Sequence, residues 1–186
     1  EGRTFGEVVF NTSMTGYQEM LSDPSYAGQI LIPTYPLIGN YGINDQNSES
    51  NKAQVAGFVI REECTSPSHH DSVASLRDFL YDNAIVGISG VDTRAITRRI
   101  RSYGVMMGMV TTNETPDEGL ALLRSHPSYE HVNYVNIVTT KSQSKWSGGD
   151  NFSGPRVVIV DCGVKYNILR ILSDLGCHVD VLPATA

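Results

Sequence analysis

No run of about 18 apolar residues, the length a membrane-crossing helix needs, occurs in this 186-residue chain. Glu1 opens a segment with neither a basic leader nor an apolar signal core, so no membrane partner is expected and the cytoplasm is the expected compartment. Three cysteines, Cys64, Cys162 and Cys177, are too few and too scattered for a disulfide framework, and none forms a C-x-x-C pair. Positive charge is also scarce. Fourteen Lys and Arg stand against 20 Asp and Glu, a formal net charge of -6, which disfavours nucleic acid as a partner because phosphate backbones call for a basic surface. Neither G-x-G-x-x-G nor G-x-x-x-x-G-K-[ST] occurs, so no dinucleotide or ATP site is expected in this chain. The histidines offer no spaced ligand set: His69 and His70 are adjacent and would diverge on a regular element, and His126, His131 and His178 lack partners, so no metal is expected.

What is present is a chain with 40% hydrophobic residues and an α/β pattern. Glu7 to Asn11, Gln29 to Thr34 and Val55 to Arg61 read as strands from their β-branched and aromatic content. The spacing of Val73, Leu76, Phe79 and Leu80 predicts a helix over Asp71 to Asn83, followed by a short strand over Ile85 to Ile88. Asp92 is placed to cap a helix that Gly104 ends, with Ile96 and Ile100 toward the core. Met106 to Thr111 reads as a strand, and Pro116 as the first turn of a helix to about Ser125. Composition then changes across Thr139 to Pro155, a Ser-, Gly- and Lys-rich stretch that reads as an exposed, mobile linker pinned locally by Trp146. Beyond it, Arg156 to Val160, Val164 to Leu175 and His178 to Leu182 form a βαβ pattern, with Val164, Ile168, Ile171, Leu172 and Leu175 as the expected buried stripe. The domain organisation expected is residues 1–138, a linker at 139–155, and the start of a larger α/β domain at 156–186.

Three strings could carry chemistry. In Asp23-Pro24-Ser25-Tyr26, proline stiffens the loop and serine offers a hydroxyl that both donates and accepts; the plainer reading is a β-turn whose serine satisfies its own backbone. Asp161-Cys162-Gly163-Val164-Lys165-Tyr166-Asn167 joins a strand to a helix at the carboxyl edge of the sheet, where ligands of open α/β sheets bind. Cys162 is rejected as a nucleophile, since activation needs a positioned base and a sharp elbow, and no G-x-C-x-G string occurs. Cys64 and Cys177 read as ordinary semi-buried thiols. Arg94, Arg98 and Arg101 share one helix face, open to three readings: a solvated face, a protein-docking face or an anion site.

GEVVFNTSMTGYQEMLSDPSYAGQILIPTYPLIGNYG at Gly6 to Gly42, the D-T-R-x-I-T-R-x-I-R string from Asp92, and D-x-G-x-K-x-N-I-L-R from Asp161 occur in one order. Together they resemble the small, glutamine-hydrolysing subunit of carbamoyl-phosphate synthetase. The resemblance implies a mixed β/β/α N-terminal domain of the swivelling type, followed by the first βαβ unit of a flavodoxin-like class I glutamine amidotransferase domain. It implies that Ser25 contacts bound glutamine, and that no catalytic residue lies in this chain. Nucleophile, oxyanion segment and His-Glu pair would lie beyond Ala186, leaving these residues inactive alone. The implied partner is a large synthetase subunit, which would hold ATP and Mg and make carbamoyl phosphate from bicarbonate and released ammonia. A non-catalytic docking module is the alternative reading.

Overall fold

The computed structural model describes residues 2–147 and 154–186. In chain order the elements are β1 (Arg3–Asn11), α1 (Tyr17–Ser22), β2 (Gln29–Pro33), β3 (Leu37–Ile38), β4 (Gly57–Val59), β5 (Glu62–Glu63), α2 (Leu76–Asp82), β6 (Val86–Ile88), α3 (Thr93–Tyr103), β7 (Met106–Thr111), α4 (Pro116–Ser125), α5 (Val135–Val138), β8 (Ser144–Ser147), β9 (Arg156–Asp161), α6 (Tyr166–Asp174) and β10 (His178–Pro183). Five strands form a mixed sheet in the order β6-β4-β2-β1-β7, parallel except for the antiparallel β1/β7 pair. Side chains alternate across it, as the two-residue strand period requires. Leu31 and Phe58 join Tyr17, Leu21 and Leu76 in one core, while Ile30, Ile32 and Val59 meet Ile100 in another. The sheet is therefore covered on both faces, by α1 and α2 on one side and α3 on the other. The expected caps form: Asp92 accepts from Ala95 N–H, and Thr115 makes a reciprocal capping box with Glu118 ahead of Pro116.

Helix α2 is shorter than its apolar spacing predicts. Ser75 accepts from Asp78 N–H and starts the helix there. Ala74 instead bridges Ile43, and Val73 donates its N–H to the Ile43 carbonyl, so the Val73 side chain faces solvent. A strong N-cap and an available strand-like partner together outweigh the period.

The second unit is a three-stranded sheet, β8-β10-β9, with β9 and β10 parallel across α6 and β8 antiparallel to β10. Part of the stretch expected as a mobile linker is thus a strand. Its own composition does not favour one, but β10 offers an open row of backbone groups, and Trp146 lies on the Tyr166 ring at 4.9 Å. Residues 148–153 of that stretch lie outside the described residues.

The expected buried stripe of α6 also needs correction. Leu169 is the fully buried residue, packed with Val179 and Val181, whereas Ile168, Ile171 and Leu175 are 48%, 50% and 71% exposed. Val158 and Val160 are likewise exposed on the far side of β9. A three-stranded sheet with one helix covers only one of its faces, so the helix turns its Leu169–Leu172 side inward. Among the described residues no helix is long and apolar enough to cross a membrane.

Candidate functional site

The loop after α1 is built from its neighbours. Asp23 caps the single helical turn Pro24–Tyr26: its Oδ1 accepts the Ser25 N–H at 2.9 Å, and Pro24 fixes the first turn position. Tyr26 Oη accepts from Asn11 Nδ2 at 2.9 Å, fastening the loop's far side to the end of β1. Ser25 itself is exposed, and its hydroxyl has no hydrogen bond to any described residue.

Facing this loop is the β9–α6 turn. Asp161 Oδ1 accepts from the Gly163 and Val164 N–H groups at 2.9 and 2.8 Å, and its Oδ2 accepts from Thr140 N–H at 2.7 Å. Gly163 adopts φ +104, a region that suits glycine, and its backbone passes so close to Pro24 that a Cβ there would stand 3.1 Å from the proline Cβ. Lys165 reaches across to Asp23 Oδ2 at 2.7 Å. That hydrogen bond holds the lysine's pKa above its ordinary value, against the opposing effect of partial burial. A cleft of about 560 Å³ opens beside the contact, with Pro24, Asp161, Val164, Tyr166 and Trp146 among its walls.

A second contact joins the same elements. The loop before β4 presents the Glu49 carbonyl to Tyr166 N–H at 2.9 Å, the Glu49 carboxylate to Asn167 N–H at 2.9 Å, and the Ser48 carbonyl to the Arg170 guanidinium at 2.9 Å. Its position is set from α1: Ser22 Oγ accepts from Glu49 N–H, and Gln18 holds Asn44. Sequence reasoning singled out Ser25 but missed Asp23, Glu49 and Lys165. Two of these lie inside the quoted strings, where an acid and a base 142 positions apart were the signal.

Glu19, on α1 beside this loop, has an Oε2 shielded from solvent with no hydrogen-bond partner among the described residues. Burial, and then the Glu49 charge, raise its pKa above the ordinary glutamate value. The folded state thus holds a proton more tightly than the unfolded chain, and the stability linked to that proton is lost as pH rises through the raised value. Glu19→Gln keeps the shape and removes the charge. It is expected to stabilise the protein at pH 7, because it removes the desolvated negative charge and its repulsion with Glu49, the advantage vanishing below the ordinary glutamate range. Thermal melts of both proteins from pH 4 to 8 check this; coincident midpoints at pH 7 would reject it.

Cys162 is exposed on the turn, and its thiol has no hydrogen bond among the described residues, while Cys64 is half-buried and Cys177 buried. Arg94, Arg98 and Arg101 face solvent. His69 and His70 do not diverge as adjacency on a regular element suggested. They sit where the chain turns, their rings stack at 4.5 Å, and with Asp71 their ligand atoms lie within 4.8 Å; all three are exposed, and His69 Nδ1 already accepts the Asp71 N–H.

The sequence model of the carbamoyl-phosphate synthase small chain, CPSase domain, matches residues 1–110. Carbamoyl phosphate synthase small chains of Syntrophotalea carbinolica, Nostoc sp. and Aquifex aeolicus are 47%, 46% and 44% identical to this chain. The alignments cover 99%, 98% and 98% of it, and 52%, 51% and 52% of those proteins. The chain therefore spans about half the length of the curated relatives it matches. With the family-model match over 110 of 186 residues and these identities along nearly its whole length, the chain belongs to the carbamoyl-phosphate synthase small chain family.

Proposed function

We propose that this chain serves in the glutamine amidotransferase of a carbamoyl-phosphate synthase, supplying Ser25 to the glutamine pocket while the nucleophile, base and oxyanion hole come from the rest of the parent protein. In this reading residues 1–138 are the swivelling-type N-terminal domain, 139–155 the connection, and 156–186 the opening of a flavodoxin-like class I amidotransferase domain. Ammonia released from glutamine passes to a large synthetase partner in the cytoplasm, which holds ATP and Mg and uses bicarbonate. One observation carries the reading. A rigid loop with both flanks tied down leaves a single exposed hydroxyl, Ser25, beside the carboxyl edge of the second sheet, where ligands of open α/β sheets bind.

The test is Ser25→Ala in the intact amidotransferase–synthetase complex, assayed with each nitrogen donor. Glutamine-dependent carbamoyl phosphate synthesis is expected to fall roughly tenfold, the worth of one hydrogen bond to a strongly polar substrate group, with ammonia-dependent synthesis unchanged. Equal losses with both donors, or no loss with glutamine, would reject the assignment.

A further inference from the structure

Asp23 is 7% exposed, and its two carboxylate oxygens have separate tasks. Oδ1 holds the Ser25 N–H at 2.9 Å, within the loop; Oδ2 receives Lys165 Nζ at 2.7 Å, from the second unit. The turn that carries Lys165 is itself fixed by Asp161 and closely abuts Pro24. One buried carboxylate therefore registers the Ser25 loop against the sheet edge that faces it. Charge-assisted hydrogen bonds of this kind are short, strong and directional, which suits them to setting a distance.

We propose that Asp23 is a positioning residue for glutamine: through Lys165 it fixes how far the Ser25 hydroxyl stands from the amidotransferase sheet. The inference rests on the reading that Ser25 contacts glutamine. Asp23 touches no substrate in this scheme. It acts by fixing the geometry in which Ser25 is presented, and small displacements of a positioning group lower productive binding steeply.

Asparagine separates the two tasks. Asp23→Asn keeps an oxygen for the Ser25 N–H and loses the charge that binds Lys165. In the intact complex, Asp23→Asn is expected to raise the KM for glutamine about tenfold with kcat changed less than about twofold, and to leave ammonia-dependent synthesis at the wild-type rate. In a Ser25→Ala background the same change is expected to add little, since there is then no hydroxyl left to position. An unchanged KM for glutamine, or effects of the two substitutions that multiply independently, would overturn the proposal while leaving the role of Ser25 standing. Ser25→Ala without any glutamine-specific loss would overturn both. Should Asp23→Asn fail to assemble, seen as loss of ammonia-dependent synthesis as well, Lys165→Gln leaves the loop cap intact and removes only the cross-unit charge. Its glutamine KM must then rise, and a wild-type KM would reject the proposal.

Discussion

Gly28→Ala is expected to destabilise the protein by about 3 kcal/mol, the sum of two costs at one atom. Gly28 has φ +73, a left-handed conformation that costs an L-residue roughly 1–2 kcal/mol. A Cβ added there would also land within the edge of the Tyr134 ring, which is stacked on Tyr129 at 4.4 Å. Tyr129 in turn donates its hydroxyl to the Ala27 carbonyl at 3.0 Å, so the ring pair cannot slide away without losing that bond. Overpacking of this kind costs roughly 1–3 kcal/mol. The two costs can be told apart. Tyr134→Ala in the Gly28→Ala background should recover the steric part and leave the conformational part, whereas Tyr134→Ala alone should be mildly destabilising. Chemical denaturation of the four proteins reads the cycle. A single mutant within about 0.5 kcal/mol of wild type would show that the loop relaxes freely and that Gly28 is not required where it is.

Gly28 lies within the string that marked the family, and its role illustrates what was legible in the sequence. Propensity and turn chemistry located most elements because they depend on neighbours along the chain: β7 and α4 occupy the residues their composition and Pro116 suggest, and Asp92 caps α3. Features that depend on distant partners were not legible. The α6 period gives the two faces of a helix but not which one a sheet will cover, and Ile168, Ile171 and Leu175 lie on the uncovered side. The strand at Ser144–Ser147 exists because β10, more than thirty residues later, presents an unpaired edge. Within the candidate site, Ser25 is proposed on the resemblance alone. The Asp23–Lys165 pair that registers it emerges only when β9 and α6 are folded against the loop.

The T-G-Y-Q-E part of the same string has a structural explanation centred on Gln18. Gln18 is 0% exposed, an unusual place for a polar side chain unless every group is paired. Its Nε2 donates to the Asn44 carbonyl at 2.5 Å and to Ser48 Oγ at 3.1 Å, and its Oε1 accepts from the Asn44 N–H at 2.9 Å. The amide thus substitutes for a strand partner to Asn44, satisfying both backbone groups of a loop residue. Gln18→Leu fills the same space but leaves the Asn44 N–H and carbonyl without partners beside an apolar side chain. At roughly 1–3 kcal/mol for each stranded group, the expected loss is about 4 kcal/mol, or a fall in Tm on the order of 10 °C. The damage should also travel. Ser48 and Glu49, on the loop that Gln18 holds, receive Arg170, Tyr166 and Asn167 from α6, so the contact between the two units should loosen along with the loop. Amide hydrogen exchange separates these consequences: Gln18→Leu should raise exchange at Asn44, Tyr166 and Asn167 under native conditions, while the β1–β2 ladder stays protected until global unfolding. Exchange that rises only through global unfolding would show that the loop keeps its place without Gln18. A Tm within about 2 °C of wild type would remove the case that this glutamine anchors the loop.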